Sequence, residues 1–432
     1  MIDSNIVVAG IFILGLVTGM PIAFVLIGSA FVGLVMLRGF NVAMNALATM
    51  PFSKTADVAL SVIPLFILMG YLASQAGVSA NAYKIAYRWV GHIRGGLGIA
   101  TVAACAAFAA TSGSSVATSA AVGKIAFGEM KRFRYNNAIS AGTIAAAGLL
   151  GIMIPPSIML VVYGVITQTD ISRLFLAGIL PGLLTGVVFS GGLYLIAWFR
   201  PELMPVATDR YSWSERFSVL KEGWSVAVLF FVIIGGIYAG LFTANEAAAV
   251  GSVAAFLILL FRRGFKLGPL IEGGVDAAAT SAMIFLILIG AGLLGQYVAL
   301  SGFATDVARL LAASDWNRYI LLLLILLAYV PLGMFLEPIS MCLITLPIVF
   351  PIIQHLGFDP IWFGILIVKM SELANITPPL GVNIFVVKGV APEITLESAF
   401  KGAGLFVCLE LVTLALLILF PSISLYLPSL MG

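Results

Sequence analysis

The chain has 432 residues, 61% of them hydrophobic and only 9% charged, with a formal net charge of +3. A soluble domain carries about 25% charged residues, so the composition excludes an ordinary soluble enzyme and points to a polytopic membrane protein in contact with a lipid bilayer. The basic residues are scattered over loops, which argues against nucleic-acid binding, and Gly123-Lys124 lacks the rest of a phosphate-binding loop, which argues against an ATP-driven pump.

About 20 helical residues cross the hydrocarbon. Residues 5–37 are nearly continuous apolar sequence, one long span or two short ones interrupted at Gly19-Met20-Pro21. Asp3 and the lack of a basic leader favour a membrane helix over a removed signal peptide. Residues 39–55 read as interfacial and 57–77 as a span. Residues 79–94 carry Lys84, Arg88 and Arg94 among Tyr83, Tyr87 and Trp89, which suits a helix lying along the membrane surface.

Residues 96–111 and 115–130 are each short for a crossing and flank the polar knot Thr111-Ser112-Gly113-Ser114-Ser115, so a re-entrant hairpin over 96–130 is expected, its base closed by Lys131-Arg132-Phe133-Arg134. Residues 136–164 form a span broken at Gly151-Ile152-Met153-Ile154-Pro155-Pro156-Ser157. Spans follow at 173–198, 224–241 and 247–261, with the longest polar connection at 200–222. Cys105, Cys342 and Cys408 all fall in apolar segments, too far apart for a local metal motif, and read as packing residues.

The second half repeats the first. Pro155-Pro156 recur 223 residues later as Pro378-Pro379, Asp170-Ile171-Ser172 as Glu393-Ile394-Thr395, and Ser112–Ser115 fall on Phe335–Pro338 inside another break, Gly333-Met334-Phe335-Leu336-Glu337-Pro338. Gly77 and Lys84 match Gly302 and Arg309 at nearly the same spacing. A first repeat over 60–180 and a second over 284–405 are therefore expected, the second with a hairpin at 319–355 and a broken helix at 360–387. The remaining helices act as scaffold in a single integral membrane domain.

The base of the first hairpin carries Lys84, Arg88, Arg94, Lys131, Arg132 and Arg134, whereas the matching loops of the second carry Arg309 and Arg318 against Asp306, Asp315 and Asp359. By the positive-inside rule the first hairpin opens to the cytoplasm and the second to the outside. Most of the 22 Lys and Arg then lie inside, with Arg38, Lys54, Arg173, Arg309 and Arg318 outside. Inverted repeats with discontinuous helices are the pattern of secondary transporters.

In hydrocarbon, broken backbone is tolerated only inside protein or beside a water-filled cavity. A hard cation such as sodium takes hydroxyl and carbonyl oxygens, and each proline frees the carbonyl four residues before it. One sodium site is expected between Ser112, Gly113, Ser115 and the carbonyls of Gly151, Ile154 and Pro156. A second is expected between Gly333, Glu337 and Ala374, Asn375, Thr377, Pro378, giving two or more sodium ions in all. An anionic solute is expected between the hairpin tips, with Ser114, Ser157, Gly381 and Asn383 lining it. Sodium is preferred over protons because intramembrane acids are few: Glu337, Glu372 and Glu410. Lys369, three residues before Glu372, offers it a helical ion pair. His92 and His355 read as interfacial.

These stretches, with Gly235–Val250 and Ile376-Thr377-Pro378-Pro379-Leu380-Gly381-Val382-Asn383, resemble the large membrane subunit of tripartite ATP-independent periplasmic (TRAP) transporters, the DctM/SiaM type. One departure is Ala244-Asn245, where the family commonly has Pro-Thr. The resemblance implies a multi-pass protein of the bacterial inner membrane and an elevator mechanism. It implies a small membrane subunit, a periplasmic solute-binding protein, and sodium-driven import of an organic acid such as a dicarboxylate, a sialic acid or another sugar acid. The family's hairpin serines carry over to Ser112 and Ser115, and its double-proline regions to Gly151–Pro156 and Asn375–Pro379. Alternatives are an autonomous sodium/dicarboxylate carrier, a passive channel, and an intramembrane serine protease using Ser112 or Ser115 with His92.

Overall fold

Glycine and proline punctuate an otherwise helical chain. The computed structural model describes residues 4–56, 58–264, 267–303, 316–379 and 381–431, with the side chains of residues 59 and 335 left aside. Lys266, Asp306, Arg309 and Asp315 lie outside the described residues. Helices α1 (Ser4–Val17) and α2 (Ile22–Arg38) are separated at Gly19-Met20-Pro21, so residues 5–37 form two helices. Helix α3 is Phe40–Thr55, and α4 (Val62–Gln75) is bent by 62° from α5 (Val78–Val90) at the left-handed Gly77, φ 76°. The expected surface helix is α5, which buries Tyr83 and Tyr87 on one face.

The first hairpin is α6 (Gly96–Ser112) and α7 (Ser115–Arg132). The turn needs only Gly113, at φ 64°, and Ser114, whose hydroxyl caps α7 by accepting from the Ala117 N–H. The first broken helix is α8 (Asn137–Met153) and α9 (Ile158–Thr167), bent by 42°. Then come α10 (Ile171–Phe199), α11 (Trp213–Leu220), α12 (Trp224–Phe230), a π-turn over Phe231–Gly235, the short α13 (Gly236–Tyr238), α14 (Ala244–Arg263) and α15 (Leu267–Ser301). Residues 213–238 run as one span, so the connection expected over 200–222 already turns helical at Trp213. Ala244-Asn245 open α14 behind a complete capping box, Thr243 with Glu246, which holds the turn without the family's Pro-Thr.

The second hairpin is α16 (Arg318–Phe335) and α17 (Pro338–His355), and the second broken helix is α18 (Pro360–Asn375) and α19 (Val382–Val390). Helices α20 (Leu396–Leu419) and α21 (Ser422–Ser429) close the chain. The hairpin tips correspond at the expected spacing: Ser112 and Ser115 end and begin helices where Phe335 and Pro338 do. So do the caps Asn136 and Asp359, each accepting from the backbone N–H groups two and three residues on. The correspondence drifts later, because α10 is capped by Asp170 but α20 by Thr395 rather than Glu393.

Six of the described helices are long and apolar enough to cross a membrane, or eight if each bent pair is one span. The repeats interlock, with α9 packed on α17 and α19 on α7. At the surface Lys131 at the hairpin base bonds Glu393 at 2.5 Å, which holds that carboxyl below the usual carboxylate range. Helices α2, α3, α4, α14 and α15 pack on one another as a separate layer.

Candidate functional site at the two breaks

At the first break, Pro155 leaves the Gly151 carbonyl without its helical donor and Pro156 does the same to Ile152. Ser157 answers the second vacancy: its hydroxyl donates to the Ile152 carbonyl at 2.5 Å and caps α9 by accepting from Leu160 N–H. The hairpin tip closes onto this break. Ile158 N–H donates to the Gly113 carbonyl at 3.4 Å, and Ser112 Oγ lies 2.7 Å from Thr118 Oγ1, which donates to the Ser114 carbonyl at 2.8 Å. A Cβ on Gly151 would stand 2.5 Å from both Ser114 O and Thr118 Oγ1, and one on Gly113 would stand 2.9 Å from Pro156 O. Two hydroxyls and several backbone carbonyls thus converge where glycine alone permits the approach.

The second break is built differently. Thr377 N–H reclaims the Ala374 carbonyl at 3.1 Å, and Thr377 Oγ1 donates to Leu373 O at 2.6 Å. Pro379 leaves the Asn375 carbonyl without its helical donor, and the buried Asn375 Nδ2 has no partner among the described residues. Gly333 of the second hairpin sits against this region, since a Cβ there would meet Ala374 Cβ at 2.3 Å. At the hairpin tip Glu337 accepts from Ser340 Oγ at 3.2 Å.

The two tips face each other across one cavity of about 520 Å³. Ser112, Gly113, Ser114 and Ser115 line one side, Glu337, Pro338 and Ile339 another, and the scaffold closes it with Gly70 and Tyr71 of α4 and Thr280 and Ile284 of α15. Among the described residues Glu337 is the one charged residue on this lining. Of the four expected solute-lining residues, Ser114 lies on the cavity wall and three do not. Ser157 is fully buried and spent on backbone; Asn383 is fully buried, its Nδ2 donating to Ala145 O at 3.0 Å; and Gly381, at φ 56°, turns against Phe400.

His92 and the hairpin serines are not brought together. His92 sits beside Arg216, 3.4 Å away, before the start of α6, and Ser112 ends that helix roughly 25 Å further on at 1.5 Å per residue. His92 therefore does not reach Ser112, and the Ser–His pair expected for a serine hydrolase is not formed.

Residues 9–423 match the family described as "Tripartite ATP-independent periplasmic transporter, DctM component". The chain belongs to this family. It is 37% identical over 390 residues to the C4-dicarboxylate TRAP transporter large permease protein DctM of Pseudomonas aeruginosa, covering 90% of each. It is 33% identical over 417 residues to the sialic acid TRAP transporter large permease protein SiaM of Vibrio cholerae, covering 96% of each. The YdaH transporter of Alcanivorax borkumensis has a similar backbone, with TM-score 0.60 and 16% identity over 90% of this chain and 88% of that one. That last likeness concerns the fold alone.

Two parts of this TRAP permease escape a reading of single motifs. Thr118 completes the first tip; its signal was its place in the first turn of α7, four residues after Ser114. Glu410 of α20 joins Lys369 and Glu372, so the expected helical pair is a buried triad: Lys369 Nζ donates to Glu372 at 2.6 Å and to Thr185 Oγ1 of α10 at 2.9 Å, and pairs with Glu410. Lys369→Met would leave two carboxylates unpaired in the core, a loss of about 3–5 kcal/mol. The expected outcome is a clear drop in Tm of the purified protein, and an unchanged Tm would show that the triad does not hold α18 and α20 together. Cys105 and Cys342 are buried as expected, whereas Cys408 is exposed and packs nothing in the core.

Proposed function

We propose that this TRAP large permease imports an organic acid across the bacterial inner membrane, driven by sodium. A small membrane subunit braces its scaffold, and a periplasmic binding protein delivers the solute. The single observation that carries the reading is the pairing of each hairpin tip with a proline break. Both junctions leave backbone carbonyls in the protein interior, and the first adds the Ser112 and Thr118 hydroxyls, so they offer the neutral oxygens a sodium ion takes. Sodium would be held at the first junction by Ser112, Gly113, Ser115, Gly151, Ile154 and Pro156. At the second it would be held by Gly333, Glu337, Ala374, Asn375, Thr377 and Pro378. Ser114 then meets the solute.

An elevator movement is supported by the division of the cavity wall. One side comes entirely from the hairpins and broken helices and the other from α4 and α15. The two hairpins and their interlocked broken helices would travel as one body against the layer of α2, α3, α4, α14 and α15. Organic acids are supported by the substrates after which the two relatives are named, C4-dicarboxylates and sialic acid. Accessory subunits are supported by the word "tripartite" in the family description.

The test is uptake by the reconstituted three-part system into liposomes. The expected result is accumulation that requires an inward sodium gradient and collapses when sodium is replaced by choline. Accumulation indifferent to sodium would contradict the proposal.

A further inference from the structure

A second cavity, also of about 520 Å³, lies elsewhere along the boundary between scaffold and hairpin-bearing layer. Lys54 and Ser53 of α3 and Gln296 of α15 line it on the scaffold side, and Gln168, Leu343 and Pro347 on the other. Lys54 is its one charged lining residue and has no ion pair among the described residues. Its stem lies across α15 at Gly292, where a Cβ would stand 3.0 Å from Lys54 Cε and 3.2 Å from Cγ. The absence of a side chain at that position gives the lysine its berth. The Gln168 amide nitrogen donates to Val165 O at 2.8 Å. The loop charges place Lys54 and Arg173 on the outer side.

The same helix serves both cavities. Thr280 and Ile284 of α15 face the first, and Leu288, Ala291, Gly295 and Gln296 face the second. Spacings of three and four residues keep Thr280, Ile284, Leu288, Ala291 and Gly295 on one face, with Gln296 beside it, and the step from Ile284 to Gln296 is about 18 Å along the axis. At one station that face looks on the carboxylate Glu337, and at the other on the ammonium Lys54. A small anion entering the second cavity is attracted by that ammonium.

We propose that the second cavity is an anion-receiving site on the outer side, in which Lys54 holds the carboxylate or sulfonate of a small solute and Gln296 donates a further hydrogen bond. Only the identification of that anion as transported cargo rests on the function proposed above. The site itself stands on the cavity, the unpaired ammonium and the shared face of α15. An anionic lipid headgroup would offer similar chemistry, and the experiment separates the two sources.

The test uses the full chain in phosphatidylcholine nanodiscs, with the exposed Cys408 replaced by serine (Cys408→Ser) and a reporter thiol placed in the cavity (Gln296→Cys). Labelling rates are measured with 2-sulfonatoethyl methanethiosulfonate and with its trimethylammonium analogue at low ionic strength. The expected result is a rate ratio favouring the sulfonate that falls about tenfold in Lys54→Gln and persists in Lys54→Arg. A ratio unchanged by Lys54→Gln would overturn the proposal. Phosphatidylglycerol discs in which the thiol becomes protected would overturn it equally, since a headgroup would then be the occupant. Neither reading involves sodium or uptake, so failure here is distinguishable from failure of sodium-driven import.

Discussion

Gly402→Leu is expected to abolish the folded protein. Helix α20 crosses α8 so closely that a Cβ on Gly402 would stand 1.7 Å from the Ala138 carbonyl oxygen, and one on Gly142 would stand 2.4 Å from the Gly402 carbonyl. The obstructing atoms are backbone, so no rotamer relieves the clash. Small residues permit such crossings in membranes, where packing rather than hydrophobic burial holds helices together. Gly402→Ala should cost about 1–3 kcal/mol as overpacking, and leucine more than about 4 kcal/mol. The measurement is the yield of monodisperse protein in detergent together with its Tm. Gly404, two residues on, has nothing within 4 Å of its would-be Cβ, and Gly404→Ala should leave both unchanged. Equal behaviour of the Gly402 and Gly404 alanine variants would show that α8 and α20 do not meet as described.

Gly151→Ala is expected to shift the sodium dependence of uptake most strongly. The added methyl would press on Ser114 O and Thr118 Oγ1, both at 2.5 Å, and push the hairpin tip away from the proline break. Loss of one oxygen from the proposed site, or its displacement, should raise the half-saturating sodium concentration about tenfold, equivalent to about 1.4 kcal/mol. Ser112→Ala, which removes a hydroxyl 2.7 Å from Thr118 Oγ1, should move it in the same direction. Gly128→Ala on the same hairpin meets nothing within 4 Å and serves as the control. Sodium curves that overlay for Gly151→Ala, Ser112→Ala and Gly128→Ala would place the ion elsewhere.

The architecture was legible because its signals are local. Proline cannot donate its missing N–H, so two double prolines announce two breaks, and a polar knot between two short apolar runs announces a hairpin. The spacing between copies then located the second tip at Glu337 without any sequence likeness to Ser112–Ser115. What stayed hidden depends on which partner a group finds in space. Ser157 seemed free to face solute, yet the carbonyl that Pro156 strips of its donor is Ile152, and Ser157 is the nearest hydroxyl to satisfy it. Asn383 likewise bridges to Ala145 in the other repeat, a contact over 238 residues. Glu410 meets Lys369 across two helices. The scaffold walls of the cavity, Gly70 on α4 and Thr280 on α15, carry no motif at all, because a smooth face needs only small or neutral side chains at helical spacing.

The most direct test of the central idea, that the paired breaks bind sodium, needs no solute and no partner. The purified chain is unfolded thermally over a series of sodium chloride concentrations and matched choline chloride concentrations. A ligand that binds only the folded state raises stability by RT ln(1 + [L]/Kd). The account predicts a Tm that climbs with sodium, stays flat in choline, and climbs less in Gly151→Ala. Superimposable curves in the two salts would contradict it.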